Sequence, residues 1–473
     1  MRSDDEYFND EEFQEILNDY ETSVRSGQTT FMDADDLADI AEYYHMQGRE
    51  DEAQKAIDLA IDTNPNALSV LDYQIHNALN NGDVEVAQQY LDCIMEQESP
   101  EYIYDRAEIL IAQDKVDEAD QYLRQQLQDV PPDEYQDYVL DVANIYTDYG
   151  INDKALEWMV RARQDNTDDF KELMARTLFG LGKYDDSERL FNELLDRNPF
   201  QKRYWNALAS TQYMKEDYSG SVASSEYAIA IDPNDPEAVM AKANGLYNLS
   251  NFEEALSYYE RYSRLEPDDE YGLLYQGTCL FNLNRYDEAI ERLKKAAATA
   301  PPDDSGLLVE IYEELAFSYS ELHQTDIALS YIDLTDTLDC DHYDMMVIRG
   351  HILLGNNRME DAEKMFQKAY KESGEDPRIM LRILVSLFDN RFVEAAYTMF
   401  QVFFRSVDKN WTDGYAYMAL CCWEKGLTEE FMSYLKTACQ KNPQEAHIVL
   451  SPLFPDEVAP KDYYSYMTEK LKE

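Results

Sequence analysis

The sequence predicts an all-α protein, an α-solenoid of about twelve stacked helical hairpins with a capping helix at each end. Two phased series of small residues and a recurring terminal proline predict it. The first series runs Ala53, Ala87, Ala119, Ala155, Ser187, Ser221, Ala255, Ala289, Ala328, Ala362 and Ala395, with Phe431 in the twelfth place. Successive members lie 32 to 39 residues apart. Twelve residues before each stands a second small residue: Ala41, Ala107, Ala143, Ala175, Ala209, Ala243, Gly277, Ala316, Gly350 and Ala419. Only Ile75 and Ile383 break that second series. Self-similarity at this period marks a supersecondary unit that buries its apolar face only by stacking on its neighbours.

The elements follow in order. Phe13, Ile16, Leu17 and Tyr20 form a helical stripe, and Asp10, Glu11 and Glu12 at its start suit a helix N-terminus. Residues 1–33 are therefore expected to hold an N-terminal capping helix. Eight units fill 34–301, bounded at about 34–65, 68–99, 100–131, 136–167, 168–199, 202–233, 236–267 and 270–301. In the unit 236–267, Val239, Ala243, Leu246 and Tyr247 recur at helical spacing, and Ser250-Asn251 breaks the pattern. Phe252, Ala255, Leu256, Tyr259 and Tyr262 then stripe a second helix, which Pro267 closes. The phased alanines let the two backbones approach closely. The 39-residue spacing predicts an inserted loop over 302–308, rich in Pro, Asp and Gly. Four more units follow at 309–340, 343–374, 376–407 and 412–443. A connector and a final helix striped by Tyr463, Tyr464, Met467 and Leu471 complete residues 444–473.

Composition narrows the function. The chain has 473 residues and a formal net charge of −55, which opposes the Lys and Arg clusters that phosphate backbones or anionic membranes need. Hydrophobic residues make up 44%, with 37 Tyr, 18 Phe and 4 Trp, so the chain folds despite its charge. No apolar h-region opens the sequence, and no stretch is long enough to span a bilayer. Six scattered cysteines suit reduced thiols, and a cytoplasmic location is expected.

At these residues the chain resembles the tetratricopeptide repeat family, in its long cytosolic arrays of the bacterial type. The match includes Ala255 to Tyr259 and Ala362 to Phe366, the Gly182-Lys183-Tyr184 turn, and Trp205 at an aromatic start. It also includes the terminal prolines Pro65, Pro131, Pro199, Pro233, Pro267, Pro301 and Pro443. The resemblance implies a right-handed superhelix whose first helices line a concave groove.

Chemical motifs are sparse. Phe179-Gly180-Leu181-Gly182-Lys183 reads as a repeat turn and lacks the strand-loop-helix setting of a phosphate loop. The six histidines show no HxxxH spacing, and Cys340-Asp341-His342 has no second pair to complete a tetrahedral site. Cys421-Cys422 reads as buried packing. Asp33-Ala34-Asp35-Asp36 lacks the glycine and distal glutamate of a calcium loop, and Asp33 reads as a helix cap. No catalytic residue, metal or cofactor is expected.

What remains is surface. The family resemblance assigns groove lining to Arg203, Asn206, Ser210 and Tyr213, to Met240, Asn244, Tyr247 and Asn248, and to Tyr271, Thr278, Phe281 and Asn282. Asparagine amides bond both donors and acceptors of an extended peptide, rings pack its side chains, and Arg203 offers a carboxylate contact. The family's chaperone-tail clamp is not expected, because Met240 and Leu274 stand where lysines would be. The function expected is a non-catalytic scaffold or adaptor for a neutral or basic protein or peptide. The alternative is a regulatory or targeting subunit of an enzyme or chaperone complex.

Overall fold

A computed structural model describes residues 8, 10–26, 32–46, 49–162, 166–267, 269–455 and 458–471. The opening residues 1–7, read above for targeting signals, lie outside them. Among the described residues every regular element is a helix, and no helix is long and apolar enough to cross a membrane. The chain divides into two compact units, Met1–Tyr227 and Ala228–Glu473, the division falling within the helix Tyr218–Ile231.

The first unit opens with the helix Glu11–Ser26, which buries Phe13, Leu17 and Tyr20 against Leu37, Ile40 and Ala41 of the next helix. Hairpins follow as Ala34–Met46 with Glu50–Thr63, Leu68–Asn80 with Val84–Leu91, and Pro100–Ala112 with Val116–Gln126. Tyr135–Asp148 with Asn152–Met159 and Asp168–Gly180 with Tyr184–Arg197 continue the series, and Lys202–Met214 opens hairpin 6. The second unit holds hairpins 7 to 12. They are Pro236–Asn248 with Phe252–Leu265, Tyr271–Asn282 with Tyr286–Thr299, and Ser305–Glu321 with Thr325–Leu334. His342–Gly355 with Met359–Glu372, Pro377–Asp389 with Val393–Ser406 and Tyr415–Glu424 with Thr428–Lys441 complete them.

The small residues do what their phase predicts. Outside hairpin 11, each first-series residue is the fourth of its hairpin's second helix, and Ala87, Ala119, Ala155, Ala255, Ala289 and Ala362 are fully buried. In the second series Ala107, Ala143, Ala175, Ala243 and Ala316 are equally buried on the first helix. A Cβ at Gly277 would meet the Leu293 side chain, and one at Gly350 the Phe366 ring. Ser187, in an alanine position, satisfies its buried hydroxyl by donating to the Ala175 carbonyl at 2.8 Å.

From hairpin 2 onward the turns share one closure. In hairpin 5, Gly182 has φ +69°, and Lys183 N–H donates back to the Leu178 carbonyl at 2.9 Å. Gly82, Gly150 and Gly426 take that left-handed place in hairpins 2, 4 and 12. Asp114, Glu216, Ser250, Asn284, His323, Asn357 and Arg391 take it elsewhere, at a backbone cost glycine would not incur.

Three expectations are corrected. In hairpin 11 the phased residue is Ala396, which is buried, whereas Ala395 is exposed. The turn at Arg391 sets that register, and Leu384 rather than Ile383 faces it. Second, residues 305–308 are not loop: they form the first turn of the 17-residue helix Ser305–Glu321, capped by Asp304, which accepts from Leu307 N–H at 3.0 Å. The extra length is spent on helix. Third, Pro443 ends no unit. It is the first residue of the helix Pro443–Leu450, which Asn442 caps by accepting from Glu445 N–H. In the final helix Tyr463–Lys470, Tyr463 and Met467 are buried against hairpin 12, while Tyr464 and Leu471 are exposed.

Candidate functional site

The expected groove residues separate into three groups. The first is used up in holding the fold. Tyr213, Tyr247 and Phe281 end first helices, and each ring meets edge-on the aromatic that starts the second helix. Tyr213 meets Tyr218 at 5.4 Å, Tyr247 meets Phe252 at 5.4 Å, and Phe281 meets Tyr286 at 5.5 Å. Phe179 and Tyr184 repeat the contact at 5.6 Å in hairpin 5. The rings clasp the turn. A Phe281→Leu and Tyr286→Leu double-mutant cycle in urea is expected to give a coupling of about 1 kcal/mol; a coupling near zero would remove the clasp.

A second group is buried or paired. Asn206 and Thr278 are buried, and the Thr278 hydroxyl donates to the Leu274 carbonyl at 3.1 Å. Arg203 does not stand ready for a ligand carboxylate: its guanidinium lies 2.9 Å from Glu172. Asn244 accepts from the Tyr259 hydroxyl at 2.7 Å. Ser210 lines a small pocket with Arg176, Phe179 and Gly180. Met240 is half-buried.

A third group presents atoms at the surface of the second unit. Asn248, Tyr271 and Asn282 are exposed, and Asn282 approaches the Tyr247 hydroxyl at 3.4 Å across hairpins 7 and 8. Tyr271 stacks on Tyr275 at 6.4 Å, and Tyr275 on Tyr259 at 5.3 Å. Carboxylates join them from the first helix of hairpin 9. Burial, then Glu314 and other neighbours, pushes the Tyr247 phenol up to about 12, and Tyr271 is raised by burial, then Asp304, Glu270 and Glu310. Burial lifts Glu313 and Glu314 to about 7. Sequence reasoning stopped at hairpin 8 and missed these acids. Carrying the same repeat positions one unit further would have named Glu310 and Glu313.

The remaining motifs settle simply. Gly180 ends a helix and Gly182 makes the turn of hairpin 5. Cys421 and Cys422 are buried free thiols, both pushed up to about 12 by burial. Cys340 Sγ lies 3.9 Å from His342 Nδ1, and Asp341 caps the helix that follows by accepting from Tyr343 N–H. Asp33 accepts from Ala34 N–H at 2.7 Å.

One cluster was invisible to spacing within a single helix. His76 stands among three carboxylates in the first unit. Its Nδ1 lies 3.6 Å from Asp72 Oδ2, one turn earlier on Leu68–Asn80. Its Nε2 lies 3.8 Å from Asp105 Oδ1 and 3.5 Å from Glu108 Oε1, both on Pro100–Ala112. The Tyr149 hydroxyl donates to the other Glu108 oxygen at 3.2 Å. Burial disfavours charge on His76, but Asp72 and Glu108 outweigh it and raise the imidazole to about 12. Burial, then Asp72, pushes Asp105 up. A pattern D-x3-H on one first helix and D-x2-E on the next would have flagged it.

Residues 173–236 and 240–304 match the family model of the tetratricopeptide repeat. No curated protein matches the chain. Among solved structures it is similar to MamA, residues 41 to the end, of Desulfovibrio magneticus RS-1. That match has 15% identity over 37% of this chain and 96% of the other, with a TM-score of 0.35. A tetratricopeptide repeat protein of Thermus thermophilus is 23% identical over 40% of this chain and 100% of its own, with a TM-score of 0.32. One from Parabacteroides merdae is 12% identical over 60% of this chain and 97% of its own, with a TM-score of 0.39.

Proposed function

We propose that this chain, a tetratricopeptide repeat protein, is a non-catalytic scaffold that holds a basic, extended segment of a protein partner on its first helices. The observation that carries the reading is the surface of hairpins 7 to 9 in the second unit. There Asn248 and Asn282 stand exposed beside Tyr247, on whose phenol Glu314 acts, and Tyr271 stands exposed at the other end of the helix Tyr271–Asn282, where Glu310 acts on it. Amides pair with a peptide backbone, stacked tyrosines pack aliphatic stems and cations, and the carboxylates select Lys or Arg over Asp or Glu. The net charge of −55 favours encounter with such a segment. Arg203 takes no part, being engaged by Glu172.

Fluorescence anisotropy with the full chain tests this directly. A Lys/Arg-rich peptide of a dozen residues is compared with a composition-matched acidic one, in wild type and in the Tyr271→Ala/Glu310→Gln double variant. The basic peptide is expected to bind, more weakly at high salt. The variant is expected to lose about tenfold, or roughly 1.4 kcal/mol. Equal binding of both peptides, or an unchanged variant, refutes the reading. Co-purification of an enzyme whose turnover changes on removing this chain would favour a regulatory subunit instead.

A further inference from the structure

The geometry points to a divalent transition-metal site, suited to zinc, in which His76 Nε2, Asp105 and Glu108 hold the ion and Asp72 orients the imidazole. The donor set comes first. Nε2 is 3.8 Å from Asp105 Oδ1 and 3.5 Å from Glu108 Oε1. Ligands at about 2.0–2.2 Å from one tetrahedral zinc stand roughly 3.3–3.6 Å apart, so each of these two carboxylate oxygens needs only a slight closure on Nε2. One imidazole with carboxylates is a borderline-to-hard set, and among zinc, manganese and magnesium the imidazole selects zinc.

The supporting groups are in place. Asp72 Oδ2 lies 3.6 Å from Nδ1, the nitrogen that faces away from Asp105 and Glu108. A carboxylate behind a ligating histidine fixes the tautomer that leaves Nε2 free to bind metal. Tyr149 occupies the far oxygen of Glu108, which leaves Oε1 turned toward His76. Asp72, His76 and Asp105 offer ligand atoms all within 4.8 Å of one another.

The independent observation is Asp105. It is 1% exposed, and neither carboxylate oxygen has a hydrogen-bond partner. Burying a carboxyl group without hydrogen bonds is unfavourable, and a bound cation relieves it. Among the described residues the cation facing it is the His76 ring, beyond hydrogen-bond distance and shared with two other acids. A divalent ion held there would bring Asp105, Glu108 and Asp72 positive charge that the single His76 ring does not supply. Such an ion tethers the first helices of hairpins 2 and 3. This proposal is independent of the peptide-binding surface, which lies in the other unit.

The full chain is stripped with EDTA, dialysed against zinc chloride and analysed for bound metal, with magnesium and calcium in parallel. Wild type is expected to retain one zinc with a rise in melting temperature. Glu108→Gln and His76→Gln are expected to lose it, and Asp72→Asn to weaken it about ten- to a hundredfold. Far-UV circular dichroism confirms that each variant is folded, and Glu108→Gln, a change that keeps the side chain's size and shape, serves if His76→Gln does not fold. Cobalt substitution is expected to give visible bands without a near-ultraviolet thiolate band, which separates this site from Cys340 and Cys421-Cys422. The proposal is overturned by absence of zinc from wild type, by equal zinc in Glu108→Gln, or by a thiolate band. In any of those cases His76 is simply the counter-ion of three acids.

Discussion

Trp158→Ala is expected to destabilise the first compact unit by about 3–5 kcal/mol. Trp158 lies on Asn152–Met159 and is fully buried. Its ring meets Tyr138 edge-on at 6.3 Å, and Arg161 lies 4.4 Å over its face. Its Nε1 donates to Asp120 Oδ1 at 2.9 Å, joining hairpins 3 and 4. Asp120 also accepts from Arg124 at 2.7 Å and from Lys154 at 3.4 Å. Truncation therefore opens a cavity and removes one donor from a carboxylate whose hydrogen bonds to Arg124 and Trp158 outweigh its burial and lower its pKa. Trp158→Phe keeps most of the packing and is expected to cost about 1–3 kcal/mol, the share of the lost hydrogen bond. Urea unfolding followed by far-UV circular dichroism reads both. Because each hairpin leans only on its neighbours, the Ala variant is also expected to unfold in two phases. A loss under about 1 kcal/mol would mean that the indole is not the node between these hairpins.

Glu314→Gln is expected to stabilise the second unit at pH 8 by roughly 2 kcal/mol. Glu314 is largely buried, its Oε2 has no hydrogen-bond partner, and burial, then Glu310 and Glu313, lifts it to about 7. Glu313 is raised to about 7 by burial, then Asp344. Unfolded, both carboxyls titrate near 4.5. Between about 4.5 and 7 the folded state therefore holds protons that the unfolded state has released. Stability contributed by these groups is greatest below 4.5 and falls as pH rises through 7. Melting temperature is expected to rise as pH is lowered from about 8 to about 5.5, and less steeply in Glu314→Gln. General relief of the −55 charge acts in the same direction on both proteins, so the difference between their slopes isolates Glu314. Parallel slopes would place the titration elsewhere.

The repeat was legible because packing acts on residue size. A residue wedged between two helices must be small wherever the pair is close, so Ala, Gly and Ser keep phase while other positions vary. That logic fails where two neighbours are equally small. Ala395 and Ala396 cannot be told apart by size, and only the turn at Arg391 decides which faces inward. Proline misled in the same way, since Pro443 can close one helix or open the next, and the cap from Asn442 is a tertiary fact. The site was less legible. Position within a repeat tells which way a Cβ points, not which neighbour takes the side chain. Thus Arg203 points outward yet belongs to Glu172, and Tyr213 and Phe281 serve their own turns. The His76 cluster draws ligands from two hairpins, which no single-helix motif records.

The aromatic clasp at the hairpin turns bears on how the chain reaches its native state. Phe179 and Tyr184, or Tyr247 and Phe252, are only five residues apart, so closing that loop costs little entropy. A hairpin can nucleate from its own turn before any neighbour has arrived. Contacts of such short range favour fast folding. The polypeptide can then acquire structure one hairpin at a time from its first-synthesised end, each new pair docking on the one before, while its acidic surface keeps the incomplete stack from associating with others.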